Sequence, residues 1–293
     1  MSEMTTAEDA VYVVGAAGHQ GSAALRHLRA RGAEAHALFD ERDARRTREE
    51  RWTEPGTAVA HFDRPDSIER ALAGAGALVL VLEDPRTGPA ERLRHGRALV
   101  DAAVRAGVGH LVFMAATGPD HHRLSCDVSS EIARYVGRAG VPATILRPAT
   151  FMEEVPWYWL NRFGRDLVLT TPFGGGNHLP LVALDDMGAL AALAVERPGV
   201  FPGTFDIAGD TLTPLGVAEQ LTAGLGERVR HEEVQVEGVF VYQEASTQVH
   251  DIGWLRAVYP GLHTFSGWLV EGGGLELCRR ETGASAGETT RAA

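Results

Sequence analysis

Val11-Tyr12-Val13-Val14-Gly15-Ala16-Ala17-Gly18-His19-Gln20-Gly21 is the stretch that decides the fold. Four apolar residues stopped by a glycine read as a short strand buried on both faces. A helical pattern follows, with Ala24, Leu25 and Leu28 on one side and Gly32 as its stop. Between them the glycines fall at the spacing G-x-x-G-x-x-G. Gly15 allows a tight turn, Gly18 lets backbone approach a pyrophosphate, and Gly21 lets strand and helix pack closely. The helix N-terminus then presents N–H groups to phosphate. Gly15, Ala17, Gly18, His19, Gln20 and Gly21 are therefore the predicted dinucleotide contacts.

Outward from this loop the same alternation continues. Strands are predicted at residues 35–39, 58–62, 77–82, 110–115 and 143–146, with helices at 67–73 (capped by Asp66 or Ser67), 89–106 and 128–139. This is the pattern of an α/β fold, a doubly wound parallel Rossmann-type sheet whose strands end on a common ligand-binding edge. Past Pro148 the regularity loosens. Phe151, Trp157, Tyr158, Trp159 and Phe163 crowd one segment, and Gly174-Gly175-Gly176 forms a loop. A helix at 185–195, a strand at 204–207 and a helix at 214–225 capped by Thr213 complete a smaller C-terminal α+β lobe. The expected organisation is a disordered N-terminus at 1–10, a dinucleotide-binding domain at 11–150, a substrate lobe at 151–280 intertwined with it, and a disordered tail at 281–293.

Asp40 closes the second strand, 19 residues beyond Gly21 (40 − 21). A carboxylate there accepts ribose hydroxyls and repels a 2′-phosphate, which favours NAD over NADP. Arg42, Arg45 and Arg46 follow, and offer either a phosphate site or a solvated helix face. Asp63 falls just past the third strand, near the adenine or as a loop cap. Ala115 ends the fifth strand, beside the expected path of the nicotinamide.

Composition narrows the classes of function. Over 293 residues, 44% hydrophobic and 23% charged is ordinary for a globular protein. No apolar run approaches the ~20 residues of a membrane span. The first ten residues have no basic region and no apolar stretch, so no secretory signal is read and a cytoplasmic location is expected. A net charge of −11 disfavours direct nucleic-acid binding. Cys126 and Cys278 make neither a metal-spacing motif nor a disulfide framework. All 28 basic residues counted as Lys+Arg are arginine. Arginine does not titrate at accessible pH, so no step that needs a lysine ammonium as acid or base is available.

Four segments resemble the NmrA-like group of atypical short-chain dehydrogenases/reductases. Gly15 to Gly21 is similar to its G-A-T-G-x-Q-G loop, and Gly107-Val108-Gly109-His110-Leu111-Val112-Phe113 to its fifth strand. Ser129, Tyr135, Thr144-Ile145-Leu146-Arg147-Pro148 and Phe151-Met152-Glu153 resemble its S-K…Y…T-I-L-R-P…F-M-E-N stretch. Asp185-Asp186-Met187-Gly188 resembles its V-x-D-I-G segment. The resemblance implies NAD or NADP in the Rossmann domain, with a C-terminal lobe over a substrate cleft. It also implies one of two functions: reduction of quinones or other small carbonyl compounds, or redox-sensing regulation. The departures are specific. Ser130 stands where catalytic members carry lysine, Met114-Ala115 replaces a hydroxyl pair, and no Y-x-x-x-K occurs.

Other groups must then supply any proton. Thr117 and His121, in the loop after the fifth strand, and Tyr158, in the aromatic segment, are the candidates. His121 reads equally as an exposed loop residue and Tyr158 as packing. Phe151, Met152, Trp157 and His178 are the candidate substrate contacts. Glu153 and Glu154 read as ligand contacts or as a helix first turn. No metal site is expected. The expected partners are a small-molecule substrate, with a second copy of the chain or a protein partner also open. Two functions stand side by side: an oxidoreductase acting on a small, partly apolar carbonyl, quinone or imine, and a non-catalytic dinucleotide sensor.

Overall fold

A computed structural model describes residues 10–42, 56–82, 87–115, 125–234 and 251–283. Among them, seven strands form one sheet: β1 (Ala10–Val14), β2 (Ala35–Asp40), β3 (Thr57–Ala60), β4 (Ala75–Val81), β5 (His110–Met114), β6 (Ala143–Pro148) and β11 (Gly203–Ile207). Their spatial order is β11-β6-β5-β4-β1-β2-β3. The pairs β1–β2, β2–β3, β1–β4, β4–β5 and β5–β6 are parallel. The chain winds outward from β1 to β3, then returns to the far side of β1 as β4. That reversal puts the topological switch point between β1 and β4, the place where open parallel sheets bind ligands.

Burial explains why these segments became central strands. All seven residues of β4 are buried, as a strand covered on both faces must be. Leu38, Leu78, Leu80, Leu111 and Phe113 meet Ile68, Leu72, Leu99, Ala103, Ile132 and Val136 in one apolar core. The helical residues belong to α2 (Pro65–Ala71), α3 (Pro89–Ala106) and α4 (Ser125–Val136), and to the turn that ends α2. The alternate strand residues Val13, Ala37, Val79 and Val112 are buried as well. Since side chains alternate across a strand, the second face is also covered. α1 (His19–Ala30) packs against β1, β2 and β4, and α5 (Leu184–Glu196) lies on α1 so closely that a Cβ on Gly188 would sit 2.6 Å from the Ala23 backbone.

The chain forms two compact units, Met1–Pro148 with Met187–Asp206, and Ala149–Asp186 with Ile207–Ala293. In the second unit β7 (Thr150–Phe151), β10 (Leu179–Val182) and β12 (Asp210–Leu212) form a sheet in the order β12-β10-β7. β8 (Leu160–Phe163), β9 (Asp166–Thr171) and β13 (Val229–Glu233) form another, in the order β13-β9-β8. A π-helical turn (Val155–Trp159) and helices α6 (Pro214–Leu225), α7 (Ile252–Val258), α8 (Phe265–Val270) and α9 (Gly274–Thr282) complete it. Its own core gathers Met152, Leu169, Phe173, Leu181, Leu221, Phe265 and Trp268.

Several expectations change. Residues 187–206 return to the first unit, so the two units alternate along the chain and the second begins close to residue 150. Residue 10 opens β1 rather than ending a disordered terminus. Residues 281 and 282 belong to α9, where the Thr282 hydroxyl donates to the Cys278 carbonyl at 2.7 Å, so the expected tail begins too early. Residues 1–9 and 284–293 lie outside the described residues. α2 starts at Pro65, whose missing N–H suits a first helical position, and its cap residue Arg64 contributes no side-chain bond. The expected cap Ser67 instead accepts from the His61 backbone N–H at 3.1 Å. Thr213 does cap α6, its hydroxyl accepting from Gly216 N at 3.0 Å.

Candidate functional site

The glycine loop leaves β1 at the switch point. Gly15 has φ +82°, and a Cβ there would lie 2.5 Å from the Val81 carbonyl oxygen, so side chains are excluded by both conformation and space. A Cβ on Gly21 would lie 2.2 Å from the Gly15 carbonyl oxygen, which fixes glycine where helix meets strand. Gly18 differs. Its φ is −85°, an ordinary value, and a Cβ would meet only the Gly15 carbonyl oxygen at an unstrained 3.4 Å. Among the described residues nothing requires glycine at that position. Ala17, Gly18 and His19 are exposed, and Gly18 is the N-cap of α1 with no side-chain capping bond and no acidic residue in the first turn. The positive end of α1 is therefore open to an anion. In the same turn the Gln20 Oε1 is buried with no hydrogen-bond partner among the described residues. An orphaned acceptor of that kind costs roughly 1–3 kcal/mol unless something else satisfies it.

Next to this loop, at the end of β2, Asp40 is buried and both its oxygens are engaged by Arg42. Oδ1 accepts from the Arg42 backbone N–H at 2.9 Å and from Nε at 3.2 Å, and Oδ2 accepts from Nη2 at 2.8 Å. Arg42 Nη1 also lies 3.2 Å from Asp63 and 2.8 Å from Glu91. The Asp40 hydrogen bond, outweighing the cost of burial, pushes the Arg42 guanidinium above its ordinary range. Asp63 accepts from Arg94 Nε at 2.8 Å. Burial raises the Asp63 carboxyl, but Arg94, His95 and Arg42 together hold it below its usual value.

The second unit carries a different cluster. Glu153 accepts from the backbone N–H of Leu184 at 3.1 Å and from Trp268 Nε1 at 3.2 Å, which ties the start of α5 to α8. Burial pushes the Glu153 and Glu154 carboxyls up to about 7. Asp186 is fully buried and accepts from the His263 backbone N–H at 2.9 Å and from its Nδ1 at 2.8 Å. Burial raises Asp186 too, against the pull of His263.

The predicted residues therefore divide. Gly15, Ala17, Gly18, His19, Gln20 and Gly21 come together in one loop, and Asp40 and Asp63 meet at Arg42. Ala115 is buried, and its N–H donates to the Leu146 carbonyl at 2.9 Å. Met152 is fully buried in the core of the second unit, a packing position rather than an accessible wall. Phe151 and Trp157 are half-buried and His178 is exposed. Tyr158 is 70% exposed, its ring edge-on to Trp157 at 6.3 Å. Thr117 and His121 lie outside the described residues, as do Arg45 and Arg46. Sequence reasoning missed Glu91 and His95 of α3, which reach the Asp40–Arg42 pair from far along the chain. It also missed His263. Among the described residues no group of three His, Cys, Asp or Glu side chains is placed to hold a metal ion, and no helix is long and apolar enough to cross a membrane.

Comparison with known proteins places this arrangement. The NmrA-like family matches residues 7–250. A (4-alkanoyl-5-oxo-2,5-dihydrofuran-3-yl)methyl phosphate reductase of Streptomyces griseus is 32% identical over 201 residues, 65% of this chain and 67% of that protein. The nitrogen metabolite repression protein of Neurospora crassa is 31% identical over 53% of this chain and 35% of its own length. Among solved structures, the negative transcriptional regulator NmrA in complex with NADP superposes with a TM-score of 0.72 at 17% identity, over 92% of this chain and 97% of that one. The triphenylmethane reductase of Citrobacter sp. superposes with a TM-score of 0.68, also at 17% identity, over 93% and 99%.

Proposed function

The chain belongs to the NmrA-like family, and from that membership we propose that its first unit binds a nicotinamide dinucleotide and that the protein is an atypical short-chain dehydrogenase/reductase. The reaction is hydride transfer between the cofactor and a small, partly apolar carbonyl, quinone or imine compound. The observation that carries the reading is Gly18: exposed, unstrained, with no described residue close enough to demand glycine, and set at the uncapped mouth of α1. A glycine with no structural reason there fits the close approach of a pyrophosphate. The orphaned Gln20 Oε1 beside it fits a donor group of the same ligand.

When bound, the cofactor supplies or takes the hydride. The chain's own residues hold it there. The first turn of α1 faces the pyrophosphate, and Asp40 faces the adenosine ribose, with NAD preferred to NADP. Asp63 stands next to that pocket, and Ala115 ends the strand beside which the nicotinamide is expected. No lysine exists to tune a tyrosine, so proton delivery falls to Tyr158, His121 or Thr117. Phe151, Trp157 and His178 are the proposed substrate contacts. The small phosphorylated oxo-dihydrofuran for which the Streptomyces reductase is named and the dyes for which the Citrobacter reductase is named fit the proposed range of small, partly apolar acceptors. The proposed location is the cytoplasm.

The missing lysine also favours a second reading, a dinucleotide sensor acting through a protein partner, as the two relatives with regulatory names suggest. One series of measurements separates the two. Gly18→Ala is expected to leave the melting temperature unchanged while weakening NADH and NADPH binding more than about tenfold. Equal binding by wild type and variant overturns the cofactor assignment. Oxidation of NADH by a panel of quinones, ketones and imines supports the enzyme, whereas tight binding without turnover across the panel supports the sensor.

A further inference from the structure

Arg42 stands where a 2′-phosphate ligand is found in dinucleotide folds, yet it has nothing left to offer one. A guanidinium has five N–H donors. Nε donates to Asp40 Oδ1 and Nη2 to Asp40 Oδ2, and Nη2 also lies 2.9 Å from His95 Nε2. Nη1 lies 2.8 Å from Glu91 Oε1 and 3.2 Å from Asp63 Oδ2. Each of the three guanidinium nitrogens therefore already faces a partner.

We infer that Glu91 and His95 on α3, together with Asp63, set the choice between NAD and NADP by holding Arg42 against Asp40. Arg42 is then a latent 2′-phosphate ligand, exposed when the hold is removed. The inference rests on the dinucleotide reading above and names the groups that decide which dinucleotide enters.

Charge and hydrogen-bond capacity point the same way. Among the described residues the carboxylates Asp40, Asp63 and Glu91 outnumber the guanidiniums Arg42 and Arg94 that they face, three to two. A 2′-phosphate would add about two more negative charges. A ribose hydroxyl fares differently. A carboxylate has about four acceptor positions. Three on Asp40 are used by Arg42, so one remains for a hydroxyl donor. The described part of the pocket thus suits an unphosphorylated ribose.

His95 closes the cluster from α3: its Nε2 lies 2.9 Å from Arg42 Nη2, 3.2 Å from Asp63 Oδ1 and 3.7 Å from Glu91 Oε1. The Phe62 ring meets the imidazole edge-on at 5.7 Å. The Arg42 side chain is 37% exposed, so the guanidinium lies at the pocket's solvent side and its hold there depends on these partners.

The test is cofactor binding by the full chain, measured as dissociation constants for NADH and NADPH. Variants are Glu91→Gln, the double variant Glu91→Gln/Asp63→Asn, and that double variant combined with Arg42→Ala. The double variant is expected to shift the NADH-to-NADPH ratio of dissociation constants roughly tenfold toward NADPH, about what removal of two facing charges supplies. Adding Arg42→Ala is expected to abolish the gain. An unchanged NADH-to-NADPH ratio overturns the hold, as does a gain that survives Arg42→Ala. A wild type that binds both cofactors equally also overturns it, while leaving the dinucleotide reading intact. A wild type that binds neither overturns both.

Discussion

At the scale of single residues, the two raised carboxyls predict a pH signature. The Glu154 carboxyl is pushed by burial from its ordinary 4.5 up to about 7. Between those values the folded chain holds a proton that the unfolded chain has released. Its contribution to stability is thus present in full below about 4.5 and is lost as pH rises through about 7. Glu154→Gln cannot ionise, so it is expected to melt above the wild type at pH 8, by a margin of about 1–3 kcal/mol. The two melting curves should converge near pH 5, and a constant offset at all pH values would contradict the assignment. The glycines predict a contrast. Gly21→Ala drives a Cβ into the Gly15 carbonyl and should cost about 3 kcal/mol or prevent folding, seen as a lost or lowered melting transition. The glycine loop is legible in the sequence because its physics is local: strand, turn and helix start lie within eleven residues, Val11 to Gly21. The saturation of Arg42 is not legible. His95 arrives from 53 residues away, and no spacing rule joins it to Arg42.

At the scale of elements, the strands β4 and β5 and the helix α3 are plain in the sequence because each has an unbroken apolar run or a full helical period. The short strands of the second unit are not. β7 has two residues and β12 three, too few for any periodicity to register. The start of α2 misleads for a definite reason: Pro65 opens the helix without a capping side chain, and the capping-type residue after it turns to His61 instead. Glu153 also acts at this scale. It receives the first N–H of α5 and the Trp268 indole, so Glu153→Ala leaves two donors without their acceptor. A loss of about 2–3 kcal/mol is expected, with a change in tryptophan emission, and Glu153→Gln should recover part of both. Thr213→Ala, which removes the cap of α6, should cost about 1 kcal/mol by chemical denaturation and leave the emission alone.

At the scale of the whole molecule, a ligand that binds only the folded chain raises its melting temperature. Saturation at about 100 times Kd is worth about 2.7 kcal/mol. NADH is therefore expected to shift the melt of the wild type and to shift that of Gly18→Ala by half as much or less, a readout independent of turnover. The return of residues 187–206 to the first unit also governs what can be cut. α5 and the edge strand β11 are encoded after the first excursion into the second unit, so a gene fragment stopping near codon 150 would leave β6 with a raw edge and α1 stripped of its neighbour. Such a fragment should precipitate on expression, because an unprotected parallel edge recruits other chains. Neither half is a module that recombination could pass on intact, and swapping one in for a foreign counterpart would need grafts at three junctions at once.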